Sequence, residues 1–415
     1  MTAALLLALL VTQDWPHWRG PDRNGVVAEP SGWGGAGWPL GASIWTAEAG
    51  EGNASPVVAR GRVYVLGWAG QRDTLRCLDA ATGKELWSTS YPCPPRGRRH
   101  MGDENYYSGP ISTPELDPAT GLIYTLSLDG DLLSWDTEKN GRKVWGLNLY
   151  DAFGAERRPH VGAEQRDYGY ITSPLVHGNV LLVQVGAKDG NVIAFDKKTG
   201  KRLWTSENKD PAGHTGGMSP ITVEGIPCVA LLTLKNLVVL RLDGGRTVAT
   251  YPWTTDFGNN IATPAVHGDS VLITSEYNHK SICRLRITLK GAVPVWEKPF
   301  SSKACSPVIH KGRVYFAWKR LRCLDFETGE QKWEGGNFGD AGSCVVTGDG
   351  KIIAWGGQGR LSLVDAAADV YTELAAAARI LPGTAWPHVV FAGGRIVCKD
   401  RDGRLACFQV KESNR

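Results

Sequence analysis

A two-residue phrase, Ser or Thr followed by Pro and then an apolar run, recurs along this chain at intervals that restrict its fold more than any other feature. It stands at Ser55-Pro56, Thr113-Pro114, Ser173-Pro174, Ser219-Pro220, Thr263-Pro264 and Ser306-Pro307, with weaker copies at Ser343-Cys344-Val345 and Trp386-Pro387-His388-Val389. From Pro56 onward the spacings are 58, 60, 46, 44, 43, 37 and 43 residues. Intervals near 40 to 50 residues match a four-stranded propeller blade, and eight starts imply eight blades.

The order inside each copy agrees. Pro56-Val57-Val58-Ala59 reads as a strand, Arg60-Gly61 as a turn and Val63-Tyr64-Val65-Leu66 as the return strand. A third strand ends at Leu78-Asp79, and the turn Ala80-Ala81-Thr82-Gly83-Lys84 leads into a fourth strand carrying Trp87. The same ending runs from Asp196 through Thr199-Gly200-Lys201 to Trp204, and from Asp325 through Thr328-Gly329-Glu330 to Trp333. A looser copy runs from Asp136 through Gly141-Arg142 to Trp145. An Asp carboxylate accepts backbone N–H groups just downstream, and Gly adopts φ > 0 without steric cost. Trp87, Trp145, Trp204, Trp296 and Trp333 are therefore expected to dock each blade on the next.

An open array would expose two sheet edges. The last copy, Val389 to Val410, offers only about three strands, whereas Ile44-Trp45-Thr46-Ala47 reads as a fourth strand without a blade. The N-terminal strand is thus expected to complete the eighth blade. The copy over residues 348 to 380 is the least regular, and its Ala-rich part from Glu373 to Ile380 reads as a short helical turn. The composition suits this all-β reading, with 51 Gly and 16 Trp but only 3 Met in 415 residues.

A net charge of +4, spread along the chain, does not resemble the footprint of a nucleic-acid binder. Met1 to Val11 is an apolar run that matches a secretory segment and is too short to span a bilayer as a helix. The expected organisation is a signal peptide at 1–13, a Trp/Gly-rich leader at 14–43, one propeller at 44–410 and a tail at 411–415. A monomer in the periplasm or secreted to the cell envelope is expected, without a transmembrane span. Nine cysteines without a C-x-x-C pair read as buried core thiols, with one disulfide the alternative. Gly32-Trp33-Gly34-Gly35-Ala36-Gly37 fits G-x-G-x-x-G but has neither a strand before it nor a helix after it, and reads as a flexible linker. No two His have metal-ligand spacing, and no Gly-x-Ser-x-Gly elbow is present.

The phrase Leu78-Asp79-Ala80-Ala81-Thr82-Gly83-Lys84-Glu85-Leu86-Trp87 resembles the consensus of the quinoprotein-type (PQQ-like repeat) propeller family. That family includes the barrel-assembly lipoprotein of Gram-negative outer membranes and the pyrroloquinoline-quinone (PQQ) alcohol dehydrogenases. Trp15-Pro16-His17-Trp18-Arg19-Gly20-Pro21-Asp22-Arg23-Asn24-Gly25 is similar to a leader of exported planctomycete-type members. The resemblance implies an eight-bladed ring and is poor for function, since the same blades host enzymes and scaffolds. In the dehydrogenases it implies a quinone held against a disulfide of adjacent cysteines, with calcium on a Glu, an Asn and an Asp. This chain has no adjacent Cys pair, so neither PQQ nor calcium is expected, and no catalytic or metal-ligating residue carries over.

Two long blade connections, residues 91 to 110 and 146 to 170, account for the two largest spacings. The first contains Arg96, Arg98, Arg99, His100 and Tyr107; the second contains Arg157, Arg158, His160 and Tyr170. Side by side on one face, they would receive an anionic envelope polymer or the acidic segment of a protein partner. Asn53, His214, Asn259 and Asn260 precede Ser/Thr-Pro phrases and should reach the mouth of the central channel. A non-catalytic scaffold is the leading expectation. The alternatives are a PQQ-dependent oxidoreductase with an atypical site and a carbohydrate-binding propeller that stacks sugars on aromatic residues near the channel.

Overall fold

The recurrent Asp–Thr–Gly turn forms for a local reason. In the computed structural model the Asp79 Oδ1 atom accepts from the Ala81 N–H at 3.1 Å, the Thr82 N–H at 2.8 Å and the Thr82 hydroxyl at 2.8 Å. Gly83 closes the turn at φ 71°, where a side chain would be strained. Asp196 and Asp325 hold Thr199 and Thr328 in the same way.

These turns join the outer strands of an eight-bladed ring. The structure describes residues 13–35, 37–38, 42–94, 109–155, 169–256 and 258–410. Seven sheets have four antiparallel strands, and in six of them the order from axis to rim is the order in the chain. Blade 1 covers Val57–Ala59, Arg62–Ala69, Arg72–Asp79 and Glu85–Pro92. In blade 6 the second and third strands run together as Arg313–Asp325, with Lys319 at φ 55° where pairing passes from the inner to the outer neighbour. Blade 8 is completed by Trp45–Glu48, which pairs with Arg404–Gln409 as expected. The inner strand of blade 8 then meets that of blade 1, and the ring has no open end.

The Ala-rich segment differs from the sequence expectation. Glu373–Ala377 is a strand, pairing Leu361 with Ala377 and Leu363 with Ala375. Helix propensity yields here because the neighbouring strand needs an edge partner and Arg360 anchors Glu373 by an ion pair of 2.7 Å.

The expected docking role of the tryptophans has a defined geometry. Trp145 lies on the turn of the next blade, where its Nε1 donates to the Lys197 carbonyl at 3.1 Å and its ring covers Gly200. Trp45, Trp296 and Trp333 donate likewise to the carbonyls of Ala80, Phe326 and Ala368. Trp87 and Trp204 cover Gly141 and Gly245. In strand register the equivalent positions of blades 4 and 7 hold Ala249 and Ala375. Those two seams lack a tryptophan at that fourth-strand position.

A Cβ on Gly200 would lie 2.6 Å from the Trp145 ring, at a residue whose φ is 72°. Gly200→Ala should therefore destabilise the ring by about 1 to 3 kcal/mol. Trp145→Phe, which keeps a ring but loses the N–H bond, should cost about 1 kcal/mol. Urea midpoints at constant m-value test both, and an unchanged midpoint for Gly200→Ala would refute the docking geometry.

Candidate functional site

The leader that the sequence marks only as Trp/Gly-rich enters the axis of the ring. Trp15 and Val58 exchange backbone hydrogen bonds at the inner strand of blade 1, and Pro16 accepts from the Leu116 N–H in blade 2. Arg23 reaches Glu115 of blade 2 and the Val176 carbonyl of blade 3. Trp18 lies over Gly216 and Gly217 before blade 4 and donates from Nε1 to the Thr263 hydroxyl of blade 5 at 2.9 Å. Arg19 donates to the Pro307 carbonyl at blade 6, and Gly25 and Val27 bracket Val346 of blade 7. The rings of Trp15 and Trp18 meet His388 of blade 8 at 6.0 and 5.5 Å. A segment of about a dozen residues thus touches every blade.

Its charged anchor is the Arg23–Glu115 pair. Arg23 grips the Glu115 carboxylate with both terminal nitrogens, while His17 Nδ1 lies 3.2 Å away and the Val176 N–H donates at 2.8 Å. Burial opposes ionisation of Glu115, but Arg23 and His17 more than offset it and lower the carboxyl to about 2.

Above the leader, the Ser/Thr hydroxyls explain the repeat phrase. Thr113 Oγ1 accepts from the Ser55 N–H, Ser173 Oγ from the Thr113 N–H and Ser306 Oγ from the Thr263 N–H. Ser55 Oγ accepts from the His388 N–H and ties blade 8 to blade 1. Each hydroxyl satisfies an amide of an adjacent blade that strand pairing leaves open. The mouth they encircle is a cavity of about 50 Å³, lined by Asn53, Ile111, Ile171, Ile261, Trp386 and Cys305 among others, with Trp18 in its floor.

The channel candidates separate. Asn53 lines the mouth, and its Oδ1 is buried without a hydrogen-bond partner. His214 is buried with Nδ1 2.9 Å from the Gly258 carbonyl, away from the lining. Asn260 donates to the carbonyls of Thr233 and Trp253, and Asn259 is buried beside it. Tyr170 is 2% exposed; its hydroxyl donates to the Val185 carbonyl and its ring packs on Tyr150. Arg96, Arg98, Arg99, His100, Tyr107, Arg157, Arg158 and His160 lie outside the described residues. The start of the second connection is a short helix, Leu149–Phe153, capped by Asn148. The glycine-rich run is less free than expected, because Trp38 is buried and donates to the Ser31 carbonyl at 2.8 Å, and Ser31 bonds Asp349. Leader residues such as Arg19 and Arg23 escaped the sequence reading; their signal was the density of Trp, Arg and Pro in so short a segment.

The family model described as outer membrane protein assembly factor BamB matches residues 39–151 and 118–335. The protein of that name from Burkholderia pseudomallei (strain K96243) is 26% identical over 342 residues, covering 74% of this chain and 74% of its own length. The dehydrogenase subunit of alcohol dehydrogenase (quinone) from Komagataeibacter europaeus is 31% identical over 176 residues, 40% of this chain. The match spans only 21% of that subunit. The crystal structure of BamB from Moraxella catarrhalis shares the fold, with a TM-score of 0.62 at 13% identity over 89% of this chain and 99% of that one.

Arg23→Ala would leave the buried Glu115 carboxylate with His17 and the Val176 N–H as its remaining partners, and should cost about 3 to 5 kcal/mol. The wild-type carboxyl is lower in the folded state than in the unfolded chain, so the stability it contributes is complete above about pH 4.5 and is lost as pH falls toward about 2. Urea midpoints measured between pH 7 and pH 3 should fall for the wild type and fall less for Arg23→Ala with Glu115→Gln. Equal acid sensitivity in both would contradict the assignment.

Proposed function

We propose a scaffold role from the premise that this chain belongs to the family described as outer membrane protein assembly factor BamB, the PQQ-like repeat propellers: it is a non-catalytic propeller of the cell envelope that binds a protein partner through the face carrying its long connections. The observation that supports this most is the filled axis. A small-molecule site is ordinarily about 300 to 1,000 Å³, whereas the mouth above Trp18 is about 50 Å³ as bounded by its lining. Eight blades braced on one central segment form a rigid platform, and a rigid face loses little freedom on binding. No helix among the described residues is long and apolar enough to cross a membrane.

The likeness to quinone-dependent dehydrogenase subunits favours a second reading, in which the chain binds PQQ with calcium. The residues at the mouth fit that group poorly. The cysteines of the described residues form no disulfide, and among those residues no three His, Cys, Asp or Glu side chains are grouped to hold a metal ion. A carbohydrate-binding reading loses one stacking platform, because Tyr170 is buried.

The test is cross-linking of the exported full-length chain to envelope proteins, compared with a variant in which Arg96, Arg98, Arg99, Arg157 and Arg158 are replaced by Glu. The expected result is a discrete partner whose yield falls at least ~10-fold in the variant, as for loss of complementary interfacial charge. No discrete partner, together with saturable calcium-dependent quenching of tryptophan fluorescence by PQQ, would overturn the scaffold reading in favour of the second.

A further inference from the structure

The seam between blades 1 and 2 is built differently from its counterparts. Between blades 2 and 3 the Tyr124 hydroxyl and the Trp145 indole both donate to the Lys197 carbonyl, at 2.9 and 3.1 Å. Between blades 6 and 7 the Tyr315 hydroxyl donates to the Ala366 carbonyl at 2.8 Å, and Trp333 to that of Ala368 at 2.9 Å. Tyr64 and Trp87 hold the same register positions in blade 1, and the carbonyl that corresponds to Lys197 is that of Thr137. Trp87 Nε1 is nevertheless buried without a partner, and the Thr137 carbonyl accepts from Arg62 Nη1 at 3.4 Å. The cause lies in the turn. Asp196 and Gly200 are four residues apart in blade 3, whereas Asp136 and Gly141 are five apart in blade 2, and the longer turn winds Thr137–Lys139 into a 3-10 helix.

At this seam lies a cleft of about 210 Å³, lined by Tyr64, Arg60, Arg62 and Glu138 with Leu116 and Pro118 among its apolar walls. It has about four times the volume of the channel mouth, yet falls short of the ~300 Å³ of a drug-sized site. The turn Arg60-Gly61 is at the opposite end of the blade 1 strands from the long connections, so the cleft opens on the other face of the ring. Burial raises the Tyr64 hydroxyl above its usual range, which leaves it a donor at neutral pH, and the Arg62 side chain lies beside it. Arg62 pairs with no carboxylate among the described residues. Arg313, which holds the same position in blade 6, is paired with Asp369 at 3.0 Å. Arg60 donates to the Pro118 carbonyl at 2.6 Å and stands 3.4 Å from Glu138. Two guanidinium groups against one carboxylate leave the cleft a single positive charge. Arg60 holds φ 52° where blades 3, 5 and 8 use Gly178, Gly268 and Gly393, a conformation that glycine adopts without steric cost.

We propose that the cleft between blades 1 and 2 is a binding site for a small organic monocarboxylate, held by the Arg62 guanidinium and the Tyr64 hydroxyl, with its apolar body against Leu116 and Pro118. A planar guanidinium matches the two oxygens of a carboxylate, and a phenolic hydroxyl adds a third donor. The single net charge selects a monoanion, because Glu138 at the rim repels a second negative charge. The volume, roughly seven times the ~30 Å³ share of a water molecule, admits a ligand of about the size of benzoate. The site lies on the face away from the long connections and stands apart from the scaffold reading.

The purified full-length chain is titrated with benzoate at pH 7 and constant ionic strength, with binding read by ligand-observed NMR and calorimetry. Binding should saturate with a Kd of about 1 mM or tighter. Benzamidine, which keeps the ring but carries a cation, should not bind. Arg62→Gln should weaken benzoate at least ~10-fold and Tyr64→Phe ~3-fold or more, as for loss of a charged and a neutral donor. Arg313→Gln, the matching change at the seam of blades 6 and 7, should leave the affinity unchanged. Absence of saturable binding, equal binding of benzamidine, equal weakening by Arg313→Gln, or wild-type affinity in both Arg62→Gln and Tyr64→Phe would overturn the proposal. Displacement of benzoate by sulfate as readily as by propionate would show a site for any anion and would also overturn it.

Discussion

The ring depends on one contact repeated around its rim, an indole laid on the glycine of the next blade's turn. The contact links three levels of the chain. An Asp carboxylate organises the turn, the turn needs a residue at positive φ, and the glycine that meets that need leaves a flat floor for the tryptophan of the preceding blade. Burying each indole contributes on the order of 1.5 to 3 kcal/mol, which is large beside the marginal stability of a single four-stranded sheet. Where the tryptophan is missing, other groups close the seam. Between blades 4 and 5 the apolar side chains around Trp253, Ile273 and Leu285 fill it. Between blades 7 and 8 the leader does so, because the Glu29 carbonyl accepts from Gly348 while its carboxylate accepts from Gly393 and Gly394.

The leader also fills the centre, where eight inner strands converge and a ring of this size would otherwise hold water. Trp15 and Trp18 supply apolar bulk, and Arg19 and Arg23 bring two cations whose surroundings contrast. Arg23 is neutralised by a carboxylate gripped from two nitrogens, a firm anchor. Arg19 is buried and donates from Nη2 to the carbonyls of Asn24 and Pro307. One cation thus ties the leader to blade 2, and the other ties it to blade 6.

The repeat was legible in the sequence because each of its parts answers a local need. Ser/Thr-Pro starts a strand, Asp–Thr–Gly makes a turn, and the unpaired strand at Trp45–Glu48 has to pair somewhere. The course of the leader was not legible, since Arg23 meets Glu115 and Trp18 meets Thr263 only after the ring has closed. Nothing local marks those pairs. The same holds for Glu373–Ala377, where pairing outweighs the preference of alanine for helix. His214 and Asn260 stand near the mouth in sequence position, yet His214 Nδ1 and Asn260 Nδ2 are turned to backbone carbonyls beside them.

The central claim is that the leader is a structural part of the ring and occupies its axis. Hydrogen exchange of the full-length chain, resolved to single amides, measures this directly through the N–H groups of Trp15, Gly25 and Val27, which donate to Val58, Arg19 and Val346. If the leader is the axle, the Trp15 and Val27 amides exchange as slowly as those of Val58 and Val346 and lose protection together with them in denaturant. Exchange of the leader amides at the rate of open chain, while the inner strands stay protected, would show that the ring stands without it and would contradict the account.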